Sequence, residues 1–220
     1  DRIAFWVDLE TAYVTFTDDY IESVWWILKN FWEKDLLYQG YKVVPYCPRC
    51  GTPLSDHEVN QGYKDVCEES VFVRMPLADE EGTSLLVWTT TPWTLPGNVA
   101  VAAAADVEYV KVERELSLNG SKSKERLILA RDLVEKVFGD EDVEIVESFK
   151  GKKLQGVKYN PLFTFMPPEK SAHYIVLGDF VTTEDGTGIV HIAPTFGADD
   201  DRVAKQNGIV PLIVVDTEDK

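Results

Sequence analysis

Hydrophobic residues near the start of the chain recur every three or four positions, which is the period of an amphipathic helix. Asp19 with Glu22 three residues later is typical of a helix N-terminus, and the pattern ends before Gly40. The hydrophobic positions are Ile21, Val24, Trp25, Leu28, Phe31 and Trp32. Because tryptophan commonly packs in cores and interfaces, we interpret the tryptophans of this helix as core or interdomain packing rather than as a base-stacking platform.

Short runs of β-branched and aromatic residues dominate from position 71 onwards and predict strands. The runs are Val71–Met75, Leu85–Trp88, Val99–Ala103, Tyr109–Val112, Leu127–Ala130, Val143–Val146, Tyr174–Leu177, Ile189–Ile192 and Leu212–Val215. Arg131–Phe138 and Asp199–Asn207, each followed by a glycine, predict helices, and the polar stretch 119–124 predicts an exposed hairpin tip. We therefore expect an α/β fold that is centred on a β-barrel or open sheet and has few, peripheral helices.

Composition and charge narrow the class of protein. The 220 residues are 45% hydrophobic, enough for a packed core, and no apolar run approaches the roughly 18 residues of a membrane-spanning helix. The chain opens at Asp1 without a charged and then apolar leader, so we expect a soluble fragment of a longer protein. Its formal charge of −16, from 22 Lys and Arg against 38 Asp and Glu, disfavours a domain that grips RNA phosphates by itself.

Three cysteines fit a reducing, cytoplasmic setting, and two of them form a candidate metal site. Cys47 and Cys50, in the order Cys-Pro-Arg-Cys, have the spacing with which two thiolates reach one Zn²⁺. A closed structural site needs four ligands, and the nearby Cys67 and His57 match no standard spacing. Either a second pair of ligands lies beyond Lys220 or no metal is bound.

Two segments concentrate small polar side chains, 88–98 and 186–200. In the first, Trp-Thr-Thr-Thr-Pro-Trp-Thr-Leu-Pro-Gly-Asn, two prolines end the strand and crowd hydroxyl and amide groups around an irregular turn. These groups belong to Thr89, Thr90, Thr91, Thr94 and Asn98. Such a turn can hold a water and a ribose. The same pattern is equally typical of threonines that favour a strand and prolines that mark its end.

In the second segment, Gly-Thr-Gly-Ile-Val-His-Ile-Ala-Pro-Thr-Phe-Gly-Ala-Asp-Asp, His191 ends a strand while Asp199 and Asp200 begin a helix. One imidazole and at least one carboxylate can therefore face a common pocket, although a lone histidine near a strand end is more often structural. The sequence has no Gly-rich phosphate cradle and no obvious Ser or Cys nucleophile with its base. These features indicate water-mediated hydrolysis of a small polar substrate.

The two segments resemble the paired signatures of isoleucyl-tRNA synthetase editing domains. The block 46–55, Tyr-Cys-Pro-Arg-Cys-Gly-Thr-Pro-Leu-Ser, and the helix with Trp25 and Trp26 resemble the inserted region of the same family, so the resemblance covers essentially the whole chain. Valyl and leucyl enzymes have related domains, but their threonine segment usually reads Thr-Thr-Arg-Pro, where this chain has Thr91 in place of the arginine. This difference favours the isoleucyl family.

The resemblance implies an editing (connective peptide 1) domain that spans 67–220, after an N-terminal helical and cysteine-knuckle segment, 1–66. Such a domain hydrolyses valine that is wrongly activated or attached to tRNA(Ile), by attack of a positioned water on the aminoacyl ester, without a covalent intermediate or a cofactor. Asp200 would bind the α-ammonium group. His191 would border the side-chain pocket, where its bulk admits valine and excludes isoleucine.

The resemblance also implies roles for the threonine segment and for partners. The ribose of the terminal adenosine and the attacking water would be held by Thr89, Thr90, Thr91, Thr94 and Asn98. Trp93 would either line the adenosine site or pack in the core. The partners would be the acceptor end of valine-charged tRNA(Ile) and the remainder of the synthetase, which uses ATP and Mg²⁺ and holds the second cysteine pair for zinc. We expect a monomer. The alternative is a non-catalytic zinc-knuckle module that docks RNA.

Overall fold

The computed structural model describes residues 10–118, 121–168 and 170–215, and the chain forms two compact units, 1–42 and 43–220. The cysteine knuckle therefore belongs to the second unit. The division at residue 66 stays a prediction. In the described ranges no helix is long and apolar enough to cross a membrane.

The helix of the first unit is α1 (Asp18–Glu33). Its N-cap is Thr17, so Asp19 lies inside the first turn and not at the predicted boundary. None of its residues is buried, and its tryptophans are each about two-thirds exposed. The described part of this unit thus provides no core for the tryptophans, and their packing against another domain stays a prediction.

Two short strands form the cysteine hairpin, β1 (Tyr46–Cys47) and β2 (Thr52–Pro53), which pair antiparallel. The hairpin turn closes because the backbone N–H of Gly51 donates to the carbonyl of Cys47 at 2.8 Å. Gly51 adopts φ +69°, a left-handed conformation that favours glycine. A short helix, α2 (Asp56–Asn60), follows the hairpin.

Eight further strands form two sheets in the described part of the second unit. They are β3 (Val71–Pro76), β4 (Thr83–Thr89), β5 (Ala100–Ala103), β6 (Glu108–Leu118), β7 (Ser121–Ala130), β8 (Glu144–Lys150), β9 (Tyr174–Leu177) and β10 (Ile189–Ile192). The larger sheet has the order β3-β4-β7-β6-β8, and the smaller has the order β10-β5-β9. β4 pairs parallel with β7 and β5 with β9, whereas the other neighbours are antiparallel.

The two sheets remain open, which corrects the expectation of a β-barrel for the described strands. β3 and β8 are the free edges of the larger sheet, and β10 and β9 are those of the smaller, so hydrogen bonding does not close a ring. Side chains from both sheets instead form one buried cluster, which includes Val87 of β4, Val101 of β5 and Ile189 of β10. The mixed α/β class is confirmed.

Six of the nine predicted strand runs fall within these strands, two begin one residue early, at Val99 and Val143, and the ninth, Leu212–Val215, forms no strand. Leu212 buries its side chain beside the smaller sheet, and the hydroxyl of Thr195 donates to its carbonyl at 3.3 Å. Ile213 and Val215 of the same run are exposed, so the run is a loop anchored by Leu212. The predicted hairpin tip is also shorter than expected, because β6 and β7 pair as far as Leu118 and Ser121. The two residues between them lie outside the described residues.

Both predicted helices are confirmed as α3 (Val134–Phe138), preceded by a 3-10 turn at Arg131–Leu133, and α4 (Ala198–Gln206). Gly139 and Gly208 follow them with φ +56° and +65°. The buried residues of α4 pack against the smaller sheet. This packing fixes the acidic first turn of α4 close to the end of β10.

Candidate functional site

The threonine turn, residues 89–98, connects β4 of the larger sheet to β5 of the smaller sheet through a 3-10 helix, Pro92–Gly97. The buried Thr89 accepts a hydrogen bond at its Oγ1 from the N–H of Thr91 at 3.1 Å. Thr94 donates both its N–H, at 3.0 Å, and its hydroxyl, at 2.8 Å, to the carbonyl of Thr91. Three hydroxyls therefore follow one another, with Oγ1 separations of 3.4 Å from Thr89 to Thr91 and 3.5 Å from Thr91 to Thr94.

Two residues of this segment lie outside the line of hydroxyls. Thr90 is exposed, and Trp93 is 66% exposed. Exposure excludes core packing for Trp93, so lining the adenosine site is the role that remains predicted for it. A ligand role for Thr90 likewise stays a prediction.

His191 lies on β10, opposite Val101 of β5, and contacts the threonine turn. Its Nε2 is 3.1 Å from Oγ1 of Thr94, a contact between residues 97 positions apart in sequence. The side chain is buried, and its Nδ1 has no hydrogen-bond partner among the described residues. Burial lowers the pKa of His191 to about 4, because removal from water disfavours the charged form. The imidazole is therefore neutral at pH 7.

Asp200 lies in the first turn of α4 and is held against the end of β10. Its Oδ2 accepts the backbone N–H of Ala193 at 2.9 Å. Burial raises the pKa of Asp200, the nearby Asp199 raises it further, and the Ala193 hydrogen bond opposes both. Asp199 is exposed and pairs with Arg202 at 3.1 Å. Of the two candidate carboxylates, Asp200 is thus the one that faces the protein, in agreement with its predicted role, which itself stays a prediction.

The loop between β10 and α4 packs against the end of the threonine turn. A Cβ atom placed on Gly97 would lie 3.0 Å from Cε2 of Phe196 and 3.6 Å from Oγ1 of Thr195. A Cβ atom on Gly197 would lie 2.9 Å from the carboxyl carbon of Asp200. The absence of a side chain at Gly97 therefore lets the two candidate segments, far apart in sequence, adjoin each other, whereas that at Gly197 makes room for the Asp200 carboxylate within the second segment.

Asn98 closes the threonine turn, and both ends of its side-chain amide are hydrogen-bonded within the protein. Its Nδ2 donates to the carbonyl of Ala100 at 2.8 Å, and its Oδ1 accepts the hydroxyl of Tyr159 at 2.6 Å. Nε2 of His173 is 3.2 Å from the Asn98 carbonyl. The sequence does not predict Tyr159 and His173 at this site, because partners 61 and 75 residues away leave no local pattern. A ribose contact by Asn98 stays a prediction.

Loss of the Tyr159 hydroxyl should destabilise the fold through Asn98. Tyr159→Phe leaves a buried amide oxygen without a donor, so we expect the free energy of unfolding to fall by about 1–3 kcal/mol in urea denaturation. Tyr174→Phe is the control, because its hydroxyl makes an exposed and longer contact of 3.4 Å with the Asn207 carbonyl. An unfolding free energy of Tyr159→Phe equal to that of the control would contradict this role.

The cysteine hairpin fits one half of a tetrahedral zinc site. The N–H of Cys50 lies 3.4 Å from Sγ of Cys47, and this contact, together with the Cys50 thiol, lowers the pKa of Cys47. The pKa of Cys50 is raised, first by the hydrogen bond between the two thiols and then by the charge of Cys47. Within the described ranges no three or more His, Cys, Asp or Glu residues lie together as a metal site. Zinc at Cys47 and Cys50 therefore requires two ligands from elsewhere.

The fold of this chain is similar to those of two solved structures. The P. knowlesi cytosolic leucyl-tRNA synthetase editing domain matches with a TM-score of 0.51 and 16% identity, covering 67% of each chain. The structure described as GlLeuRS-CP1 matches with a TM-score of 0.50 and 14% identity, covering 64% of this chain and 63% of that one. At such identities the likeness concerns the fold alone.

Relatives found by sequence match this chain at higher identity than the solved structures do. The isoleucine–tRNA ligase of Clostridium tetani is 51% identical and that of Thermus thermophilus 48% identical, each over 100% of this chain and 20% of the relative. The chain thus spans about a fifth of the length of these relatives. Residues 1–189 match the family described as tRNA synthetases class I (I, L, M and V). The chain therefore belongs to the class I tRNA synthetase family, and its similarity to isoleucine–tRNA ligases extends over its whole length.

Proposed function

We propose that this chain is the editing domain of an isoleucyl-tRNA synthetase and hydrolyses Val-tRNA(Ile). The observation that carries the proposal is the convergence of a buried neutral imidazole, a line of threonine hydroxyls and an inward-facing carboxylate at adjoining segments. The fold likeness to leucyl editing domains and the identity to isoleucine–tRNA ligases support the same conclusion. Hydrolysis of valyl-adenylate is a second reaction of the same chemistry.

Asp200 binds the α-ammonium of the misattached valine. One of its oxygens accepts the Ala193 N–H, which fixes the carboxylate and leaves acceptor capacity for a charged donor. A charge-assisted hydrogen bond in a partly buried site is stronger than a neutral one. The ammonium therefore anchors the substrate relative to the ester carbon.

The threonine turn positions the ribose and the attacking water. Water adds to the ester carbonyl, the bond between the carbonyl carbon and the ribose oxygen breaks, and the proton passes to that oxygen, which gives free valine and uncharged tRNA. With a pKa of about 4, His191 is a weak base at neutral pH. Catalysis by Thr89, Thr90 and Thr91 therefore rests on orientation of the water and substrate.

His191 limits the size of the amino acid that enters. Its buried ring is held in place by β10 and by Thr94, so it presents a fixed wall. One methylene in a hydrophobic pocket changes the binding free energy by only about 1–3 kcal/mol. The discrimination between isoleucine and valine is the standard example of this range. Steric exclusion of isoleucine by His191 therefore adds a second discrimination to that made when the amino acid is first selected.

The remainder of the synthetase holds most of the tRNA. The formal charge is −16, and basic side chains of the larger sheet are paired with acids: Arg74 and Arg114 with Glu125, and Lys124 and Arg126 with Glu113. These ion pairs leave little free positive charge on that sheet for phosphates. We propose a cytoplasmic monomer in which ATP and Mg²⁺ act at a site outside this chain.

Single-turnover deacylation tests the proposal. With the 220-residue chain in excess, Val-tRNA(Ile) should lose its amino acid while Ile-tRNA(Ile) stays charged, because only valine fits beside His191. Uncatalysed ester hydrolysis is measured in the absence of the chain. Equal rates with and without the folded chain would overturn the proposal.

The cysteine hairpin favours a second candidate function, a zinc-knuckle module that docks RNA without catalysis. The N–H to sulfur contact at Cys47 is the observation that supports it. Metal analysis separates the two functions. Stoichiometric zinc without esterase activity would favour docking, whereas activity in a metal-free preparation would exclude it.

A further inference from the structure

His191 has one hydrogen-bonded ring nitrogen and one without a partner. Nε2 contacts Oγ1 of Thr94 at 3.1 Å, whereas Nδ1 is buried and has no partner in the described parts of the chain. Only 7% of the residue is exposed, so bulk water does not reach Nδ1 freely. A buried polar atom without a partner costs free energy, which makes Nδ1 a candidate for contact with a ligand.

The hydrogen count at Thr94 decides which nitrogen is protonated. A threonine hydroxyl has one hydrogen, and that of Thr94 goes to the carbonyl of Thr91 at 2.8 Å. While that hydrogen stays on the Thr91 carbonyl, the Thr94 oxygen can only accept from His191, and this arrangement requires the ring hydrogen to lie on Nε2. The opposite arrangement would give up the hydroxyl bond to the Thr91 carbonyl, which would keep only the Thr94 N–H, and would bury an unpaired N–H at Nδ1.

The hydrogen bonds that Thr94 already makes also affect which hydroxyls are available to bind the ribose. With its hydrogen given to Thr91 and its oxygen engaged by His191, the Thr94 hydroxyl already has partners within the protein. The Thr89 oxygen accepts the Thr91 N–H at 3.1 Å, but the hydroxyl hydrogens of Thr89 and Thr91 have only the longer 3.4 Å contact between the two hydroxyls and the 3.5 Å contact of Thr91 with Thr94. These two remain better placed than Thr94 to exchange their contacts for a ligand.

We propose that Thr94 is a positioning residue, which holds His191 in the neutral Nε2–H tautomer and thereby presents Nδ1 as an acceptor to the α-ammonium of the substrate. The assignment of the α-ammonium as the donor to Nδ1 rests on the proposed function. An ammonium has three hydrogens, so it can donate to Asp200 and to Nδ1 together. A neutral acceptor attracts the ammonium, whereas a protonated imidazole would repel it.

The tautomer is measured by ¹⁵N NMR of the histidine-labelled chain near pH 7. The chain has three histidines, and the His191 signals are assigned by their loss in His191→Gln. Thr94→Val keeps the shape and removes the acceptor, whereas Thr94→Ser keeps the hydroxyl. We expect the Nε2–H form in the wild type and in Thr94→Ser, and a mixture of tautomers in Thr94→Val. A wild-type Nδ1–H form, or an unchanged tautomer in Thr94→Val, would overturn the proposal.

Deacylation of Val-tRNA(Ile) tests the contact with the substrate. Thr94→Val should slow single-turnover deacylation about tenfold, the factor that the loss of one hydrogen bond typically produces, and Thr94→Ser should restore it. Thr182→Val, at an exposed threonine away from the turn, is the control. Equal rates in Thr94→Val and the control would overturn the substrate contact. Inactivity of the wild type would overturn the proposed function instead, and the tautomer measurement would still decide the role of Thr94.

Discussion

Asp200→Asn should slow the deacylation of Val-tRNA(Ile) by about a hundredfold. The amide keeps the shape of the carboxylate and can still accept the Ala193 N–H, but it removes the negative charge that we propose binds the ammonium. A charge-assisted hydrogen bond contributes roughly 1.5–3 kcal/mol, and loss of the anchor also misplaces the ester carbon relative to the water. The single-turnover rate at saturating enzyme measures the effect.

Asp199→Asn is the matched control for this prediction. It removes the same charge one position earlier in α4, but Asp199 is exposed and pairs with Arg202 on the surface. Surface ion pairs contribute at most about 1 kcal/mol, so stability and rate should remain near those of the wild type. If the two variants were equally active, the ammonium contact would not be at Asp200.

Stability should move in the opposite direction from activity in Asp200→Asn. The pKa of Asp200 is raised in the folded protein, chiefly by burial. The folded state therefore holds this proton more tightly than the unfolded chain does, and the ionised carboxylate lowers stability as the pH rises through the raised pKa. The neutral amide avoids this cost, so Asp200→Asn should unfold at an equal or higher urea concentration than the wild type at pH 7.

The sequence predicts the strands well because their signal is local. Runs such as Tyr174–Leu177 and Ile189–Ile192 coincide with β9 and β10, since β-branched residues between turn residues encode a buried strand directly. Leu212–Val215 has the same composition but no strand partner. Only Leu212 of this run is buried, while Ile213 and Val215 are exposed, so composition alone establishes neither pairing nor burial there.

Unlike the position of a strand, the closure of a sheet into a barrel is not encoded locally in the sequence. Whether strands close into a barrel depends on which edges meet, and the hydrophobic pattern of a single strand is the same in both cases. The order β3-β4-β7-β6-β8 includes a parallel pair, β4 with β7, that joins strands distant in sequence. Neighbouring runs along the chain do not encode such a pair.

The candidate site shows the same division between local and distant information. The two segments were recognisable from their prolines, threonines and acidic residues, and the structure makes them adjoin. The contact from Thr94 to His191 and that from Asn98 to Tyr159 could not be predicted, because each joins residues more than 60 positions apart. These contacts determine which polar groups are free for a substrate and which already have partners.

His191→Ala should let the chain attack correctly charged Ile-tRNA(Ile). Removal of the ring opens space beside the valine pocket, and the extra methylene of isoleucine then fits. We expect the ratio of the valine rate to the isoleucine rate to fall by roughly ten- to two-hundredfold, the range for one methylene, whose standard example is this pair of amino acids. Single-turnover rates on both charged tRNAs give the ratio directly.

The ratio of the valine rate to the isoleucine rate distinguishes steric exclusion by His191 from the other proposed roles of the site. Thr94→Val retains the ring and should slow both substrates alike, since it changes a contact to the ammonium that valine and isoleucine share. His173→Ala, the control for loss of an imidazole, removes a half-buried ring that contacts the Asn98 carbonyl and should also leave the ratio unchanged. A ratio in His191→Ala equal to that of the wild type would remove His191 from size selection and leave it only as the acceptor that Thr94 positions.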